Sequence, residues 1–156
     1  MGWGILPYVL AAALVAILLL AGIEDARTRE IANWKNAAIA LMAPVWWFVL
    51  HYGWADIGWQ IGLALGVFVL FLGAFHFGWM GGGDVKMIAA LALWLPFQAL
   101  VFMLMIMSII GGALTLIMMF EHWRTRAPGQ VETPYGVAIA MAAMVALSEP
   151  LFNQFT

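Results

Sequence analysis

From Met87 to Phe120 the chain carries no charged side chain, and this run decides what kind of molecule it can build. As one helix it would be about 50 Å long at a rise of about 1.5 Å per residue, well beyond the roughly 30 Å hydrocarbon core of a bilayer. As a water-soluble element it has no charged face to present. Of the 156 residues, 66% are hydrophobic and only 9% are charged, too little polar surface to wrap a soluble core. The solvent for this chain is lipid.

In hydrocarbon every peptide group must be hydrogen-bonded internally, so apolar runs of roughly 20 residues are read as spanning helices. The sequence predicts an all-α polytopic membrane protein, one domain over residues 1–156 with six transmembrane helices. They run from Ile5 to Ile23, Ala37 to Trp54, Ile57 to Trp79, Val85 to Leu95, Phe97 to Phe120 and Tyr135 to Leu147. Pro96 divides the long uncharged run, because proline removes a helix hydrogen bond and crowds the preceding turn. Nothing basic precedes the first run while Arg27 and Arg29 follow it, the charge order of a retained helix rather than a cleaved signal.

Basic residues test this topology, since Lys and Arg are held on the cytoplasmic side during insertion. With the break at Pro96, Arg27, Arg29, Lys35, Lys86, Arg124 and Arg126 all fall on one face, and both termini fall on the other. Trp34, Trp54, Trp79, Trp94 and Trp123 lie near predicted helix ends and read as interfacial anchors. Gly58, Gly62 and Gly66 recur every fourth residue and read as a face for close helix packing.

Composition also removes several chemistries. The chain has no cysteine, which excludes disulfides, a thiolate nucleophile and a Cys-based zinc site. No basic cluster is dense enough to neutralise a run of phosphates, so nucleic acid is not an expected partner. His51, His76 and His122 lack metal-ligand spacing, and neither a metal nor another cofactor is expected. A phosphate-binding Gly-Lys-Ser loop and an HExxH helix are absent, and Ser108 and Ser148 offer no plausible triad.

Asp25 and Asp84 stand out among the acids, because each sits at the membrane boundary of an apolar run on the predicted cytoplasmic side. One ends the first helix and the other opens the fourth, so packing those helices brings two carboxyls together at similar depth. Two close carboxyls in a partly desolvated site share a proton, which is what an aspartic peptidase needs to activate water. Either residue alone reads more simply as a charge reaching toward water. Gly81-Gly82-Gly83 before Asp84 permits close approaches that side chains would block, although a glycine turn with a capping Asp has the same letters.

Gly81-x-Gly83-Asp84 followed by Val85-Lys86 resembles the signature of the bacterial type IV prepilin peptidases, a GxGD aspartic peptidase family. Asp25-Ala-Arg-Thr-Arg29-Glu-Ile-Ala-Asn33 resembles their other signature, and Pro134-Tyr135-Gly136 a further short motif. The resemblance implies that Asp25 and Asp84 are the catalytic pair, with Gly81, Gly83, Lys86, Arg29, Asn33, Pro134, Tyr135 and Gly136 as supporting motif residues. Ala32 stands where the family usually has proline, which weakens the turn before Asn33 but removes no reactive group. The short, cysteine-free chain resembles the compact TadV/CpaA-like form without the methyltransferase segment. What the resemblance implies is removal of the leader from Flp-like prepilins, cut after a leader-ending Gly at the cytoplasmic face of the bacterial inner membrane.

Glu24, Glu30, Glu121 and Glu132 share that face, and their sign suits a basic leader peptide; unchanged cleavage after neutralising all four would exclude this. Other readings stay open on sequence alone. They are a GxGD intramembrane protease with a different substrate, a small transporter, and a noncatalytic assembly subunit.

Overall fold

The fold is seen in a computed structural model that describes residues 4–125 and 133–148; Arg126 and Glu132 lie outside them. Among the described residues every regular element is helical: α1 (Leu6–Thr28), α2 (Asn33–Val49), α3 (Trp54–His76), α4 (Gly82–Ala92), α5 (Phe97–Thr125) and α6 (Tyr135–Ser148). α1, α3 and α5 are long and apolar enough to cross a membrane. The helices α2, α4 and α6 are shorter, with 17, 11 and 14 residues.

The core gathers around α4. Met87, Ile88 and Leu91 are fully buried against a shell that includes Leu14 and Leu18 of α1, Ile39 of α2, Leu100 and Met103 of α5 and Ile139 of α6. Helix α6 presents alanines at positions 138, 140, 142, 143 and 146, small enough to let it lie between α1 and α5 and touch α4. Gly22 of α1 completes that close approach, since a Cβ there would sit 3.2 Å from Ala140 Cβ.

The break at Pro96 is present: α4 ends at Ala92 and α5 begins at Phe97. The predicted span from Val85 to Leu95 needs correction, because α4 opens on the glycines and stops three residues sooner. At about 1.5 Å per residue its 11 residues rise only about 16 Å. Its last carbonyls therefore end among apolar neighbours and need donors. The Gln60 amide of α3 donates to Ala92 O at 2.7 Å and Leu95 O at 2.6 Å, and the Trp47 indole donates to Leu93 O at 2.8 Å.

Two further expectations change. Trp94 is no interfacial anchor; it is 4% exposed, its ring packs on Trp46 and its Nε1 donates to Ile39 O at 2.8 Å. Trp34, Trp54, Trp79 and Trp123 are exposed, as interfacial residues would be. Gly58, Gly62 and Gly66 do share a face, but a Cβ at any of them would meet nothing within 4 Å, so none of the described helices packs closely on it. Four-residue spacing defines a face without saying which way it turns.

Candidate active site

α1 ends in a left-handed residue, Arg29 (φ 59°), whose N–H donates to Asp25 O at 2.9 Å. A non-glycine residue at positive φ is strained, and here it reverses the chain immediately after Asp25. The turn runs through Ile31 into Ala32, which precedes α2 with φ −59° and ψ 130°. That φ is the value a proline ring would fix, so alanine takes the shape the sequence signature leads one to expect. Its N–H, which proline would lack, donates to Glu24 Oε2 at 3.0 Å.

Glu24 also pairs with Lys35 at 2.5 Å, and Lys35 Nζ reaches Leu20 O at 3.3 Å. Glu24 is thus engaged in pinning the start of α2 to α1, which sets it apart from the acids expected to attract a leader. Glu30 and Glu121 are exposed.

On the other side, Gly81 caps α4 and Asp84 occupies the third position of its first turn. The Asp84 carboxyl folds back onto the Gly81 backbone, and a Cβ on Gly81 would lie 3.1 Å from Asp84 Oδ2. Gly83 has a different use: a Cβ there would lie 3.2 Å from Ile31 Cβ, so its bareness lets the turn after Asp25 close on the glycine loop. Two side-chain bonds tie these segments together. Asn36 Nδ2 donates to Gly83 O at 3.0 Å, and Lys86 Nζ donates to Asn33 Oδ1 at 2.8 Å.

The third motif reaches Asp25 from α6. The Val137 N–H donates to Asp25 Oδ2 at 3.3 Å, and the Gly136 N–H also bonds that carboxyl. A Cβ on Gly136 would fall 2.8 Å from Asp25 Cγ and from Ile31 Cδ1, so only glycine fits. Tyr135 acts elsewhere: its ring covers Gly111 of α5, where a Cβ would lie 3.0 Å away. Pro134 is buried and accepts the Val137 N–H at 3.2 Å, shaping the first turn of α6.

These contacts enclose a cavity of about 300 Å³ lined by Asp25, Arg29, Glu30, Ile31 and Asn33 from one segment and Gly81 to Asp84 from the other. Asp25 is 4% and Asp84 8% exposed, and Asp84 lies within reach of the Asp25 charge. Asp84 Oδ1 is buried with no hydrogen bond among the described residues, an unmet polar atom of the kind that marks a functional site. Of the residues singled out from sequence, Asp25, Arg29, Asn33, Gly81, Gly83 and Asp84 line the cavity. Lys86 and Gly136 touch its walls, whereas Pro134 and Tyr135 position α6.

The sequence signature of the type IV leader peptidase family matches residues 12–116, about two thirds of the chain and including both aspartates. The chain belongs to that family. Among curated members, the prepilin leader peptidase/N-methyltransferase of Aeromonas hydrophila is 36% identical over 70 residues, 44% of this chain and 22% of that protein. The protein of the same description from Aeromonas salmonicida (strain A449) matches to the same extent. The matched region thus takes in about a fifth of the length of these type IV leader peptidase relatives. No solved structure matches the chain.

Sequence reasoning missed Asn36, Gln60 and the Glu24–Lys35 pair. Asn36 and Gln60 left a trace, as polar residues inside apolar helices. The donors from Gly136 and Val137 left none, because backbone N–H groups are written in every sequence.

Proposed function

We propose that this chain is an aspartic endopeptidase of the bacterial inner membrane that removes the leader peptide from Flp-like type IV prepilins. The observation that carries the proposal is that Asp25 and Asp84, on separate helices, wall one small cavity lined by residues of the two motif segments. Membership of the type IV leader peptidase family supports the same reading.

The dyad works as a unit with one shared proton. The ionised carboxyl takes a proton from water as its oxygen attacks the scissile carbonyl carbon, and the protonated carboxyl donates to the carbonyl oxygen. The tetrahedral diol then collapses: the C–N bond breaks, the leaving nitrogen gains a proton, and the carboxyls return to their starting state. Glu30 also lines the cavity, and its charge suits a basic leader peptide.

The proposed topology has six membrane-embedded helices, with the short α4 ending at depth, where Gln60 and Trp47 cap it. It places the cavity at the cytoplasmic face, beside Arg27, Arg29, Lys35 and Lys86, and the two termini outside. All of residues 1–156 act as one membrane-embedded peptidase unit. The test is the mass of a Flp-type prepilin co-expressed with this protein. A product shortened by the leader supports the proposal; several candidate prepilins left at full mass overturn it and favour a carrier or a protease of other substrates.

A further inference from the structure

A second concavity, a groove of about 510 Å³, adjoins the candidate active site, and Asn33 lines both. It exists because α2 and α3 pack on either side of α4 and make little contact with each other. α2 and α3 each contribute positions at i, i+3, i+4 and i+7, and α4 with the Leu93 that follows it does the same, so the groove follows about 10 Å of each axis. Its floor is opened by small side chains, Ala37 and Ala40 of α2, Ala64 of α3 and Ala89 and Ala90 of α4.

Three polar residues, Asn33, Asn36 and Lys86, interrupt the apolar lining, and of these Asn36 is the buried one. Asn36 lines the groove, is 5% exposed, spends its Nδ2 on Gly83 O, and leaves Oδ1 buried without a donor among the described residues. An unpaired buried acceptor is costly, so an occupant that brings a donor is favoured over one that does not. A lipid acyl chain has none. A peptide helix entering the membrane has several, because the N–H groups of its first turn lack intrahelical partners.

Resting on the peptidase reading above, we infer that the α2/α3/α4 groove seats the first two turns of the substrate's own apolar helix, with Asn36 Oδ1 accepting a backbone N–H. The groove begins at Asn33 and Lys86, beside the dyad, and runs into apolar surroundings. A substrate helix held there presents the peptide bond just before its first turn to Asp25 and Asp84.

The chain has no native cysteine, which makes cross-linking direct. In the full-length Asp84→Asn protein in membranes, Ala40→Cys or Ala89→Cys is paired with a Flp-type prepilin carrying one cysteine in the first two turns of its apolar helix. Ile109→Cys, on the exposed outer face of α5, is the control. Cross-linking at the groove positions should exceed the control by at least about tenfold, as expected for a docked rather than colliding pair. With the dyad intact, Ala40→Trp should raise KM about tenfold with a smaller change in kcat. Equal cross-linking at Ile109→Cys, or an unchanged KM in the filled groove, overturns the inference while wild-type cleavage leaves the peptidase reading standing. A wild type that cleaves no prepilin overturns both.

Discussion

The N–H of Val137 donates to the Oδ2 of Asp25 across 3.3 Å, so the first turn of α6 holds a carboxyl at the end of α1. The two residues lie 112 positions apart. A helix N-terminus is a natural seat for an acidic group, and this one fixes where Asp25 points. The close fit depends on Gly136, which leaves no room for a side chain.

Gly136→Ala should therefore damage activity without removing any reactive group. The added methyl would press on Asp25 Cγ and Ile31 Cδ1 at 2.8 Å, displacing one or both. A shift near 1 Å in a catalytic group costs on the order of 100-fold in rate. Prepilin cleavage rates at matched membrane levels check this, and a rate within twofold of wild type would remove the α6 N-terminus from the account.

Lys86→Met removes the bond from Lys86 to Asn33 that bridges the two motif segments. A single exposed hydrogen bond is worth about 0.5–1.5 kcal/mol, so cleavage should fall about twofold to tenfold rather than vanish. Lys86→Arg should recover most of the loss. Complete inactivity of Lys86→Met would instead give this cation a role on the substrate.

Ala32→Pro tests the turn. The observed φ of −59° suits proline, which gains about 0.4–1 kcal/mol through the unfolded chain, while the lost N–H bond to Glu24 costs about 0.5–1.5 kcal/mol. The two nearly cancel, and cleavage should stay within about threefold of wild type. A much larger loss would show that the Ala32–Glu24 bond, not backbone shape, holds Asp25 in place.

Gln60→Leu strips the donor from two carbonyls at the buried end of α4. Leaving each unpaired costs about 1–3 kcal/mol, so thermal unfolding in detergent should move several degrees lower. An unchanged melting temperature would mean that water reaches the end of α4.

These outcomes trace how much was readable beforehand. Hydropathy and charge located the helices and the break at Pro96, because lipid burial demands long apolar runs. Asp84 behind its three glycines and the Asp25-to-Asn33 segment pointed to a shared site through their resemblance to a family signature, and the structure brings the two segments around one cavity. Sequence did not reveal that Trp94 turns inward or that Gly58, Gly62 and Gly66 turn outward, since in lipid both faces of a helix are apolar and the usual polarity cue is missing. Nor did it show α4 stopping short, a matter decided by Gln60 and Trp47 on other helices. Ala32 looked like a weakness and adopts the proline geometry anyway.

The most direct test of the central claim is a gel-shift assay of leader removal from a Flp-type prepilin, comparing wild type with Asp25→Asn and Asp84→Asn at equal membrane levels. The account predicts a shortened product with wild type and a loss of at least about 1,000-fold in each variant, as for other catalytic groups that act as a unit. Shortened product from both variants at wild-type rates would contradict it.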